Sequence, residues 1–257
     1  MAKVIAVVNQ KGGVGKTTTA VNLAACIGTL KKKTLLIDFD PQGNASSGTG
    51  IDKESLENSI YDVLINNFLI KDAIIETKVK NLAVCPADIN LAGAEVELVS
   101  MENRTNLLKN AIDTVRESYD YIFIDCPPSL GLLTLNAFAA ADSLLVPIQC
   151  EYYALEGLSM LTKSVKSMKQ ELNPKLTFEG ILLTMFDSRT NLSNQVAEEV
   201  HKYFPDSLFK TVIPRNVRLS EAPGYGEPII SYDKFSKGAR SYLKLAKEVL
   251  KNNEKKE

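Results

Sequence analysis

An apolar run at residues 4–8 leads straight into Asn9-Gln10-Lys11-Gly12-Gly13-Val14-Gly15-Lys16-Thr17-Thr18-Thr19, and residues 17–30 then carry a helical pattern. A strand that becomes a helix through three closely spaced glycines leaves few folds open, because the chain must turn tightly while aiming backbone N–H groups at one point. Gly12, Gly13 and Gly15 permit that turn, and the N–H groups from Gly12 through Thr18 then converge where phosphate oxygens bind. The helix N-terminus adds positive potential and Lys16 a full charge. Thr17 puts a hydroxyl where such loops hold Mg²⁺. The standard G-x-x-x-x-G-K-[ST] pattern has glycine where this chain has Gln10, so the loop is a variant, with a second lysine, Lys11, at its entrance. A dinucleotide turn would need G-x-G-x-x-G and has no use for Lys-Thr at the helix start.

The rest of the chain alternates strand and helix. Strands are expected at residues 33–39, 81–86, 119–125, 143–149, 178–185 and 208–214, with a short one at 228–231. Helices are expected at residues 56–66, 91–99, 103–118, 129–141, 155–171, 193–203 and 236–252. Near-continuous apolar strands separated by helices predict an α/β fold, a doubly wound, mostly parallel sheet with helices on both faces. No linker-like stretch or fixed-period repeat divides the 257 residues, so one domain over residues 1–257 is expected. No apolar run approaches membrane-spanning length and no charged leader precedes the first strand, which predicts a soluble, cytoplasmic protein.

Charge is unevenly placed. Residues 1–159 hold 13 Lys and Arg against 19 Asp and Glu, whereas residues 160–257 hold 17 against 12, so the C-terminal part is the candidate surface for a polyanion. Cys26, Cys85, Cys126 and Cys150 show no C-x-x-C spacing and are expected as buried free thiols. His201 has no partner at metal-ligand spacing.

Acidic residues fall at strand ends, where ligands of parallel sheets bind. Asp38 and Asp40 follow the second strand and Asp125 ends the strand at 119–125. Carboxylates there can hold Mg²⁺ directly or through water, and Asp40, beyond the strand end and before Pro41, is best placed to reach a water at a γ-phosphate.

Together Lys11 to Thr19, the segment Leu35-Leu-Ile-Asp38-Phe-Asp40-Pro-Gln-Gly-Asn44, and Ile124-Asp125-Cys-Pro-Pro-Ser129 resemble the ParA/Soj family of chromosome- and plasmid-partitioning ATPases. The likeness continues through Pro214-Arg215-Asn216 and Arg218 to Gly224, and covers nearly the whole chain, which lacks the N-terminal winged-helix extension of some plasmid members. The resemblance implies a P-loop NTPase fold binding ATP and Mg²⁺, and a homodimer formed on ATP. In that dimer Lys11 reaches the phosphates of the partner subunit, Lys16 binds the β- and γ-phosphates, Thr17, Asp38 and Asp125 serve Mg²⁺, the carboxylates through water, and Asp40 orients the attacking water. It places adenine near Met185 and the loop Pro214, Arg215, Asn216 and Val217, with Tyr225 as a further aromatic. No N-K-x-D segment for guanine is present. The resemblance also implies non-specific DNA binding, for which Arg189 and Arg218 lead, followed by Lys163, Lys166, Lys210, Lys237 and Arg240. A ParB-like centromere-binding protein is the implied stimulating partner, and the nucleoid the implied location.

Other uses of the same engine fit less well. A MinD-like ATPase needs a C-terminal membrane anchor, but Tyr242, Leu245, Ala246, Val249 and Leu250 form a packing face and the tail beyond is polar. A nitrogenase iron-protein-like carrier needs paired cysteines, and Cys126 has no evident companion. A small-molecule ligase or synthetase on this fold is a further alternative.

Overall fold

The computed structural model describes residues 1–152 and 154–254; Lys255, Lys256 and Glu257 of the polar tail lie outside them. Seven strands form one sheet: β1 (Lys3–Val7), β2 (Thr34–Asp38), β3 (Ile75–Glu76), β4 (Leu82–Cys85), β5 (Tyr121–Asp125), β6 (Ser143–Gln149) and β7 (Thr177–Thr184). Their order is β3-β4-β2-β5-β1-β6-β7, parallel throughout except for the short edge strand β3. The helices are α1 (Lys16–Thr29), α2 (Asn44–Ser47), α3 (Ile60–Ile65), α4 (Leu91–Glu97), α5 (Leu107–Asp113), α6 (Leu132–Ala140), α7 (Ala154–Glu171), α8 (Asn191–Tyr203), α9 (Val217–Glu221), α10 (Ile229–Tyr232) and α11 (Lys237–Glu254).

Strand periodicity explains the two covered faces. In β1, Val4 and Ala6 point into one apolar cluster, with residues of α3 to α8, while Ile5 and Val7 point into the other, with residues of α1 and α11. Helix α1 is buried nearly all round, because α11 covers its outer side with Tyr242, Leu245, Ala246 and Val249. The apolar face of α11 is therefore occupied within the chain. The four cysteines are buried free thiols.

Three expected elements differ. Residues 208–214 run along β7 but form no strand, and only isolated bridges join Leu208 to Ile181 and Pro214 to Phe186. Between them the N–H groups of Lys210 and Thr211 donate to the Glu248 carboxylate at 2.7 and 3.0 Å, so a side chain of α11 replaces the ladder. Residues 228–231 form a helical turn: Pro228 has no N–H to offer a ladder, and the Ile229 N–H donates to Asn22 Oδ1 of α1 at 2.6 Å. The helix expected at 103–118 is confined to α5 and a 3₁₀ turn, Arg116–Ser118. Asn103 has φ +53°, outside helical space, and α5 starts where the Leu108 N–H donates to Asn136.

Candidate active site

The loop after β1 is held from three sides. Asn9 donates to the Pro147 carbonyl at 2.8 Å and accepts the Lys11 N–H at 2.9 Å, and Thr184 donates its hydroxyl to the Val14 carbonyl at 2.8 Å. Gly13 and Gly15 adopt φ of +73° and +88°, the left-handed region that disfavours a Cβ. Gly15 is the N-cap of α1 and contributes no side-chain cap, so N–H groups of the first turn remain unsatisfied within the helix and face outward as anion donors. Lys16 is only 7% exposed, and its ammonium donates to the Lys11 carbonyl at 3.1 Å. Burial pulls its pKa down, opposed by the nearby Asp125 and Asp40 carboxylates. A charge held in so dry a place is available to an anion in the loop.

Register brings the metal candidates together. Asp38 pairs with Asp125 across β2 and β5, and Asp125 pairs with Val7 on the strand that feeds the loop. Both carboxylates are fully buried. Asp38 is satisfied: one oxygen accepts the Ser46 N–H and hydroxyl, each at 2.7 Å, and the other the Asp40 N–H at 3.3 Å. Desolvation nevertheless lifts its pKa to about 6. Neither oxygen of Asp125 has a well-formed hydrogen bond. Its pKa is raised well above the carboxylate range by burial and then by Asp38, while the neighbouring Thr17 hydroxyl and the Lys16 ammonium favour its charge only in part. Two orphaned buried oxygens beside a threonine hydroxyl are a fit for a hard divalent cation. Among the described residues no three His, Cys, Asp or Glu side chains form a cage, which matches Mg²⁺, a cation that keeps waters and phosphate oxygens as ligands. Asp40 is half-buried and accepts the Gln42 N–H at 3.0 Å.

Lys11 turns away from Lys16. Its ammonium contacts Glu151, just beyond β6, at 2.5 Å, and both side chains are 44% exposed. Around it, Ile89, Leu130 and Tyr152 are exposed after the C-terminal ends of β4, β5 and β6.

Met185, Pro214, Arg215, Asn216 and Val217 line a cavity of about 420 Å³ together with Gly15 and Thr18, so the expected base loop and the phosphate loop share one space. Leu219 and Tyr242 add apolar walls. The Asn216 Oδ1 is buried without a donor. Tyr225 stands apart, exposed and stacked on Tyr232 with centroids 5.1 Å apart.

The DNA candidates carry their own counter-charges. Arg189 makes a two-point contact with Asp187 at 2.9 and 2.7 Å, and Arg218 bonds Glu221 at 2.9 Å. Arg189 borders a cavity of about 650 Å³ with Arg215 and Lys237, whereas Lys163 and Lys166 border a different one against Tyr203 and Phe204. Lys210 and Arg240 are exposed.

Several contributors have little sequence signal. Glu151 follows a strand end as Asp40 does, and that position was its only mark. Ser46, Thr184 and Asn9 act through hydrogen bonds to distant segments, which no local pattern announces.

The AAA domain family matches residues 2–178. The chain is 60% identical over 252 residues to the sporulation initiation inhibitor protein Soj of Bacillus subtilis, covering 98% of this chain and 100% of that one. It is 56% identical over 253 residues to the chromosome partitioning protein ParA of Myxococcus xanthus, covering 98% and 89%. A solved cobyrinic acid a,c-diamide synthase of Mycobacterium smegmatis with bound ADP and magnesium is 35% identical with a TM-score of 0.87, covering 100% of this chain and 97% of that chain. A variant phosphate loop with paired acids at neighbouring strand ends, in a chain this similar to Soj and ParA, belongs to the ParA/Soj family of chromosome-partitioning P-loop ATPases.

Proposed function

We propose that the protein is a MgATPase whose nucleotide state switches it between a monomer and a DNA-bound homodimer at the nucleoid, with turnover stimulated by a ParB-like protein. The observation that carries this reading is the register of Asp38 beside Asp125 next to Lys16, on the loop that also presents Lys11. Bound Mg²⁺ would bridge phosphate oxygens and neutralise charge in the transition state. The residues present serve that chemistry. Thr17, with Asp38 and Asp125 behind it, would hold the cation, and the first-turn N–H groups and Lys16 would hold the phosphates. Met185, Pro214, Arg215 and Asn216 would border the adenine. Asp40 would hold the attacking water in line.

Lys11 completes the site across an interface. Its ammonium is exposed within a rim that includes Ile89, Leu130 and Tyr152, a surface suited to a second copy. A cation delivered in this way offsets charge on the transferred phosphoryl group, as an arginine finger does, and makes association depend on ATP. Arg189 and Arg218 then supply phosphate contacts that need no base readout. A membrane-directed reading is disfavoured by the packing of α11 on α1, and among the described residues no helix is long and apolar enough to cross a bilayer.

The test is the size of the Asp40→Ala protein with ADP and with ATP, with and without DNA. A dimer with ATP alone that shifts onto DNA is expected, with ATP left intact. Size independent of the nucleotide, or retained hydrolysis, would refute the proposal.

A further inference from the structure

The loop that leaves Asp125, residues 126–131, ends at the start of α6. Helix α6 lacks a cap of its own, because its N-cap is Gly131. The cap comes from another helix. Glu95 of α4 accepts the Leu132 N–H at 2.8 Å on Oε2 and the Leu133 N–H at 3.2 Å on Oε1. A carboxylate at that end also meets the positive pole of the helix. Gly131 is needed for space rather than for dihedral freedom. Its φ of −86° suits any residue, but a Cβ there would lie 2.3 to 2.6 Å from the Glu95 carboxyl atoms.

The other end of α4 is tied to the second buried acid. Helix α4 follows residues 86–90, where the Ala87 N–H donates to Ser46 Oγ at 3.1 Å. That hydroxyl in turn donates to Asp38 at 2.7 Å. Asp38 and Asp125, neighbours in register, are thus also joined by an outer route through Ser46, α4, Glu95 and residues 126–131. The two loops on this route carry Ile89 and Leu130 of the exposed rim.

We infer that Glu95 is a positioning residue for ATP hydrolysis: by holding the start of α6 it fixes the loop that sets Asp125, and ties that loop to the one bearing Ile89. The inference rests on the ATPase reading above. A cap that served folding alone would lower stability and leave turnover of the folded protein unchanged.

The experiment compares Glu95→Ala, Glu95→Gln and Gly131→Ala with wild type and Lys16→Ala. Steady-state ATPase is measured per ATP-binding-competent protein, together with Tm. For Glu95→Ala, kcat should fall about tenfold or more while KM for ATP moves less than about threefold, as expected when only the transition-state arrangement is disturbed. Glu95→Gln keeps one acceptor oxygen and should recover part of the loss. Gly131→Ala, which displaces the carboxylate by a methyl group, should reproduce the Glu95→Ala split. A lowered Tm with unchanged kcat in both Glu95→Ala and Gly131→Ala overturns the role of Glu95 while leaving the ATPase reading intact. Absence of turnover in wild type, at the Lys16→Ala level, overturns both.

Discussion

The ammonium of Lys11 rests on the carboxylate of Glu151 in its own chain, although the loop that carries it also presents Lys16 to the phosphate site. Both partners are 44% exposed, so the pair is held by at most about 1 kcal/mol and can be exchanged for a better anion. Lys11→Ala should therefore keep ATP affinity within about threefold and lose more than about tenfold in hydrolysis, with the ATP-dependent dimer weakened. Glu151→Gln, which frees Lys11, should strengthen the dimer by no more than about fivefold. Isothermal titration and sedimentation with ATP measure both. Normal dimerisation and turnover in Lys11→Ala would remove the proposed interfacial role.

Lys16 is different because it is buried. Its Nζ has the Lys11 carbonyl as a partner, and the cost of desolvating it is recovered only when an anion fills the loop. Lys16→Ala should abolish measurable ATP binding while leaving Tm within a few degrees of wild type, since removing a poorly solvated charge costs the fold little. An ATP Kd within about fivefold of wild type would contradict this assignment.

Asp38 gives a pH dependence with a definite sign. Its folded pKa of about 6 lies above the ordinary value of 3.8, so the folded chain holds the proton more tightly than the unfolded chain. Below pH 3.8 the residue costs nothing. Between 3.8 and about 6 stability falls as pH rises, and above that the cost is complete. In EDTA, Asp38→Asn should flatten this part of the Tm profile, and added Mg²⁺ with ADP should raise wild-type Tm more at pH 7 than at pH 5. Parallel profiles for wild type and Asp38→Asn would show that Asp38 is not the group responsible.

Arg189 and Arg218 are each balanced by a neighbouring carboxylate, Asp187 and Glu221. Replacing both arginines by glutamate should weaken DNA binding at least about tenfold at moderate salt and reduce the salt slope by about 2, one for each lost phosphate contact. ATP-dependent dimerisation should be spared. Unchanged affinity in a fluorescence anisotropy titration would place the DNA surface elsewhere, with the cavity of Arg215 and Lys237 next to be examined.

Much of this site was legible in sequence because its parts are local. The loop needs glycines and Lys16-Thr17 in consecutive positions, and a strand end needs only an apolar run closed by an acid, so Asp38, Asp40 and Asp125 stand out. The elements that differed were those whose backbone partners are remote. Residues 208–214 have strand-like composition, yet Glu248 of α11 takes two of their N–H groups. Pro228 to Ser231 look extended until Asn22 of α1 supplies the partner for Ile229.

The sequence by itself determined a parallel α/β sheet, a phosphate loop with two lysines, and acids at the strand ends, because each follows from periodicity or from contiguous residues. Only the tertiary structure decided that Asp38 stands opposite Asp125, that Lys11 rests on Glu151, and that Glu95 caps α6. These pairings join segments dozens of residues apart, and strand order, helix packing and burial choose among many partners of equal local propensity.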